Sequence, residues 1–127
     1  MEKDLKLALA DDGIIVEAEG KKLKVSYKQA ELPFAEARDW CKENGGGDET
    51  VENLRLIAKY RDKINEKLTA AGKGKIFGWY WSNEGSWRYS RSAFVVDSGN
   101  GSVDYSNMIF DCYVRAVSAF HFENFNF

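Results

Sequence analysis

Cys112-Tyr113-Val114-Arg115-Ala116-Val117 reads as the final core strand of the chain, and the rest of the fold is organised around it. Successive side chains of a strand point to opposite faces, so Cys112, Val114, Ala116 and Ser118 alternate against Tyr113, Arg115 and Val117, and one face must be core. Working backwards, Ala93-Phe94-Val95-Val96 and Trp79-Tyr80-Trp81 are further strand candidates, joined by connections over 83–92 and 97–111. Trp79 and Trp81 flank Tyr80, share a face and are read as core, whereas Trp87 lies in a Gly/Ser loop and is read as exposed. After the last strand, Phe120-His121-Phe122-Glu123-Asn124-Phe125-Asn126-Phe127 begins by alternating aromatic and polar residues, as an edge strand or a docking segment would.

Toward the N-terminus, Ile14-Ile15-Val16 and Leu23-Lys24-Val25-Ser26-Tyr27 form a hairpin around Glu19-Gly20-Lys21. The period then changes. Phe34, Ala37, Trp40 and Cys41 fall on one helical face after Pro33, and Gly45-Gly46-Gly47 ends that helix. Asp48 or Thr50 caps a second helical stretch with Leu54, Ile57, Ile64 and Leu68 as its apolar face, which runs to Gly72 and Gly74. The expected organisation is one domain over 1–127: a hairpin extension at 1–32, an α+β core at 33–120 and an aromatic tail at 121–127.

Composition breaks near residue 76. Of the 18 Lys and Arg, 15 precede residue 77, and only Arg88, Arg91 and Arg115 follow it; 14 of the 18 aromatics and 8 of the 9 serines lie beyond it. Aromatic rings give contact area at low entropy cost and small polar residues adapt their hydrogen bonds, so this makeup suits a recognition surface; it equally suits an aromatic β half with serines in its turns.

The same inventory narrows the chemistry. A net charge of −2 argues against nucleic acid as partner. Two cysteines and one histidine fall short of the roughly four ligands of a structural zinc site. Neither Cys41 nor Cys112 carries a recognisable nucleophile signature with His121, so catalysis is not expected. No apolar run approaches the ~18 residues of a membrane span, and Met1-Glu2-Lys3-Asp4 has no signal-peptide pattern.

Phe34-Ala35-Glu36-Ala37 through Trp40-Cys41 and a glycine run, then Ile64-Asn65, Tyr80-Trp81-Ser82, Ala93-Phe94-Val95-Val96 and Val114-Arg115-Ala116-Val117, resemble the order of C-type lectin-like domains over about residues 33–120. The resemblance is to the bacterial and phage branch that includes the C-terminal domain of the Legionella collagen-like protein. Gly47-Asp48-Glu49-Thr50 stands where that family usually carries Trp-Arg-Leu-Pro. The ending Tyr113 to Phe120 is similar to variable proteins diversified by retroelements, in which adenine mutagenesis of asparagine-type codons does not yield lysine; the chain has no lysine from Phe77 onward.

The resemblance implies two helical segments, a twisted, mostly antiparallel sheet with long loops, and a disulfide between Cys41 and Cys112, a bridge that could add about 4 kcal/mol. Reduced, buried thiols are the other reading of that pair. It also implies a non-catalytic ligand- or receptor-binding protein, as in a phage tail tip or a displayed host protein, facing a cell-surface protein or glycan. The contacts are then expected from Asn83, Ser86, Trp87, Arg88, Tyr89, Ser90, Arg91, Asp104, Tyr105, Ser106, Asn107 and Tyr113, with Cys41, Cys112, Trp81 and Arg115 structural. Arg115 is expected to pair with one of Glu84, Asp97, Asp104 or Asp111. Asn83, Glu84 and Asp104 offer oxygens, but the calcium motifs of sugar-binding lectins are missing, so neither metal nor cofactor is expected. Two rivals remain: a structural assembly protein that oligomerises through its aromatic tail, and an enzyme of the formylglycine-generating type.

Overall fold

The computed structural model describes residues 4–86 and 89–120. Trp87, Arg88 and His121, with the rest of the tail expected at 121–127, lie outside the described residues. The fold is α+β. In chain order the elements are β1 (Lys6–Leu9), β2 (Gly13–Ala18), β3 (Lys21–Ser26), β4 (Ala30–Leu32), α1 (Phe34–Glu43), α2 (Val51–Lys59), α3 (Arg61–Ala70), β5 (Trp79–Gly85), β6 (Ser92–Asp97), β7 (Val103–Asn107), β8 (Cys112–Val114) and β9 (Val117–Ala119).

Two sheets share the chain. One is antiparallel, in the order β1-β2-β3-β9; the other runs β4-β8-β5-β6-β7, antiparallel except for β5 beside β8. The expected hairpin is β2–β3, and Glu19 and Gly20 both take positive φ, 53° and 79°, the backbone a two-residue hairpin turn needs. Rather than extending a core, this hairpin supplies one. Ile14, Val16, Ala18, Leu23 and Val25 are buried with Leu54, Ile57, Ile64 and Leu68, and β3 pairs with β9. Full burial of such a side chain is worth about 1.5–3 kcal/mol.

α1 follows the predicted period, with Pro33 at its N-cap and Phe34, Ala37 and Cys41 buried. They pack on Trp81, Ala93, Val95 and Val114 in a second cluster, where the Phe34 and Trp81 rings meet edge-on at 5.3 Å. The single helix expected after Thr50 is two helices. Thr50, not Asp48, caps α2, its hydroxyl accepting from the Asn53 N–H at 3.1 Å. The break falls at Tyr60, whose backbone (φ −108°, ψ 16°) closes α2 and opens α3. Its ring stays buried in the first cluster while its hydroxyl donates to Glu19 at 2.7 Å, a long-range bond that outweighs helical continuity there.

The expected last strand is also interrupted. β8 belongs to the five-stranded sheet and β9 to the four-stranded one, with Arg115 and Ala116 crossing between them. Residues 114–117 are therefore all buried instead of alternating. A further strand, β7, occupies part of the expected 97–111 loop, and β5 continues to Gly85 through a register shift after Trp81. Trp81 is core at 1 % exposure, but Trp79, at the strand's end, is 38 % exposed. Tyr80 is buried in its place, packed in the other cluster.

Candidate functional site

The β6–β7 hairpin and the 86–91 connection carry most of the expected contact residues. The hairpin turn is built by Asp97 and Asn100: the Asp97 carbonyl accepts from Gly101 N–H at 2.7 Å, its carboxylate from Gly99 N–H at 2.8 Å, and the Asn100 amide oxygen from Ser102 N–H at 2.9 Å. Such side-chain acceptors fix turns that would otherwise leave backbone donors to solvent. At the other end, Ser86 N–H donates to the Ser92 carbonyl at 2.8 Å, and Met108 N–H to the Arg91 carbonyl at 2.8 Å. Arg91 holds φ 65°, a conformation uncommon for a residue with a side chain.

Tyr89 and Tyr105 pack against each other, ring centroids 4.6 Å apart, and remain 43 % and 42 % exposed. Ser90, Arg91, Asp104 and Asn107 are exposed, and Ser86 and Ser106 are half-buried. They do not form one face. β7 is the edge strand of its sheet, and its alternation sends Tyr105 and Asn107 to one side and Asp104 and Ser106 to the other. The expected contact residues on β7 therefore lie on both sides of an edge strand. Trp87 and Arg88 lie outside the described residues.

Two of the expected contacts also tie the scaffold together. Asn83 donates from its amide to the Gly47 carbonyl at 3.0 Å and from its backbone to the Glu49 carbonyl at 2.8 Å, tying β5 to the connection before α2. Tyr113 is half-buried between Phe77 and Tyr80, with ring centroids at 5.4 and 5.8 Å. Glu84 likewise accepts from the Val51 N–H at 2.8 Å, at the start of α2.

Arg115 is structural, but not through a carboxylate. It is 4 % exposed, and its guanidinium donates to Gln29 Oε1 at 2.9 Å and to the carbonyls of Ser26, Gly74 and Lys75 at 3.3, 3.0 and 2.8 Å. Burial lowers its pKa from the ordinary arginine value. None of Glu84, Asp97, Asp104 or Asp111 is its partner. The oxygens come from segments the sequence gives no reason to bring together.

Cys41 and Cys112 are free thiols that share the second cluster. The Cys41 thiol meets the Arg115 carbonyl at 3.8 Å, and burial in apolar surroundings, then the nearby Glu49 carboxylate, pushes its pKa well up. Partial burial raises that of Cys112.

Glu49 was not anticipated. It is 3 % exposed, and one carboxylate oxygen accepts from Gly47 N–H at 2.9 Å and Val117 N–H at 2.7 Å. Gly46 beside it must lack a side chain, because a Cβ there would collide with this carboxylate and lie 3.1 Å from the Ala116 Cα. Among the described residues, no group of three or more His, Cys, Asp or Glu is arranged to hold a metal ion, and no helix is long and apolar enough to cross a membrane. Compared with known proteins, the chain matches no family model and no curated protein significantly.

Proposed function

We propose that this chain is a non-catalytic binding protein of C-type lectin-like type that presents the β7 edge and the 89–91 segment to a cell-surface protein or glycan. The observation that carries the reading is the separation of the two populations of side chains. Tyr89, Ser90, Arg91, Asp104, Tyr105 and Asn107 are exposed on the edge strand β7 and the segment leading into β6, whereas Trp81, Ala93, Val95 and Val114 are buried. Loops on a rigid support are where contact residues can differ without disturbing packing. A phage tail tip or a retroelement-diversified display protein is the biological setting this arrangement suits.

Raised thiol pKa values count against the formylglycine-generating reading, because that chemistry needs thiolate character at its cysteines. The test is binding of the full chain to arrays of bacterial-surface glycans and exported surface proteins. The wild type should bind at least one member, and Tyr89→Ser with Tyr105→Ser should abolish that binding while the melting temperature stays within about 4 °C of the wild type. Binding that survives the double substitution contradicts the reading.

A further inference from the structure

A groove of about 430 Å³ is lined by residues from all five strands of the second sheet, from Glu31 on β4 to Asp104, Tyr105 and Ser106 on β7. Trp79 and Tyr113 contribute aromatic surface, Val95 an apolar floor, and Glu31, Asp104 and Asp111 three carboxylates. All three acids are exposed, and among the described residues none makes an ion pair and no Lys, Arg or His lines the groove. The contrast with the rest of the surface is informative. The grooves around Lys21 and Arg55, around Lys24 and Lys73, and around Arg61 and Lys75 each hold both signs of charge. The same β7–β8 connection that carries Asp111 also carries Ile109 and Phe110, 73 % and 60 % exposed, so the groove adjoins an apolar surface.

An exposed aromatic ring attracts a cation over its face, and carboxylates without an ion-pair partner complement the same charge, although Asp104 Oδ1 also accepts from the Tyr105 N–H at 2.8 Å. Guanidinium suits this combination better than ammonium, since its plane stacks on a ring while its N–H fork meets carboxylates. We infer that this groove is a docking surface for an arginine side chain presented by a protein partner. The inference rests on the binding-protein reading and names the chemistry of the partner. The groove shares Asp104, Tyr105 and Ser106 with the proposed contact edge, whereas Tyr89 lies outside it and Glu31, Trp79 and Asp111 belong to the groove alone, so these residues tell the two apart.

The probe is acetyl-Gly-Gly-Arg-Gly-Gly-amide, with norleucine replacing arginine as the uncharged control. Both are titrated into the ¹⁵N-labelled full chain at low and at physiological salt. The arginine peptide should move the Trp79 indole N–H and the backbone amides of 104–106 and 111–113, and the norleucine peptide should not. Combining Glu31→Gln, Asp104→Asn and Asp111→Asn should weaken binding about tenfold, and Trp79→Ala about two- to fivefold. Retained spectral dispersion certifies that each variant folds.

Shifts scattered over all surface acids, equal response to norleucine, or undiminished binding by the triple variant each overturn the inference. So does concentration-dependent self-association that the triple variant abolishes, because the groove would then receive the basic half of a second copy. If the peptide fails while surface-array binding persists and is lost in Tyr89→Ser alone, the groove is wrong and the binding-protein reading stands.

Discussion

Arg115 donates from Nε to Oε1 of Gln29 at 2.9 Å, across 86 positions of the chain. With the carbonyls of Ser26, Gly74 and Lys75 on its other nitrogens, this guanidinium joins the end of β3, the segment before β4 and the connection after α3 at the point where the chain passes between sheets. Arg115→Ala leaves buried acceptors without a donor and should cost about 1.5–3 kcal/mol, read as the shift in a urea midpoint. A ligand-contacting arginine would show instead a loss of binding at unchanged stability.

Glu49 closes the other end of that crossing by accepting the Val117 N–H. Glu49→Ala should destabilise by about 1–3 kcal/mol, while Glu49→Gln, which keeps an acceptor of the same reach, should lose less. Equal losses in the two variants would mean that the carboxylate's charge, not its acceptor geometry, is what matters.

Both thiols are held protonated near neutrality, Cys41 more strongly than Cys112. Alkylation by iodoacetamide at pH 7.5, a rate set by thiolate fraction and access (~1 in 10 for an unperturbed thiol of pKa about 8.5), should be slower than for a free cysteine at both positions, and slowest at Cys41. Fast labelling of Cys41 in the folded chain would contradict its burial.

Hydrogen bonding from Lys59, then from the Tyr60 hydroxyl, lowers the pKa of Glu19. A folded-state pKa below the unfolded value stabilises at pH above the unfolded value, about 4.3, and the gain is lost as pH falls through the folded value. The difference in melting temperature between wild type and Glu19→Gln should therefore be constant from pH 6 to 8 and shrink below about pH 4. A gap that does not change with pH would remove the charge from the explanation.

Much of the fold was legible where one period or one turn decides it. Phe34, Ala37 and Cys41 declared α1, Glu19-Gly20 declared the β2–β3 turn, and Ala93 to Val96 declared β6. What escaped was decided by partners far along the chain. Tyr60 breaks a helix whose local sequence would continue it, because its ring and hydroxyl find better sites across the fold. The strand from Cys112 to Ala119 changes sheets at Arg115, and buried carbonyls, invisible in a sequence, reward that change. Trp79 has the same periodicity as Trp81 yet lies at a strand end with no layer over it. The exposure of Tyr89, Arg91, Asp104, Tyr105 and Asn107 was legible from composition; the division of Asp104, Tyr105 and Asn107 between two sides of β7 was not, because β7 itself carries a polar, loop-like sequence, Val-Asp-Tyr-Ser-Asn.

The central claim is that the projecting edge is separable from the fold beneath it, and thermal melts of a small library test this most directly. Variants carrying random small or aromatic residues at Tyr89, Ser90, Asp104, Tyr105 and Asn107 should melt within about 4 °C of the wild type, since exposed substitutions change stability by about ±0.5 kcal/mol each. Trp81→Ala, which empties the second cluster, should cost about 3–5 kcal/mol. If the edge variants melt as early as Trp81→Ala, the exposed edge is holding the fold together and the display account is contradicted.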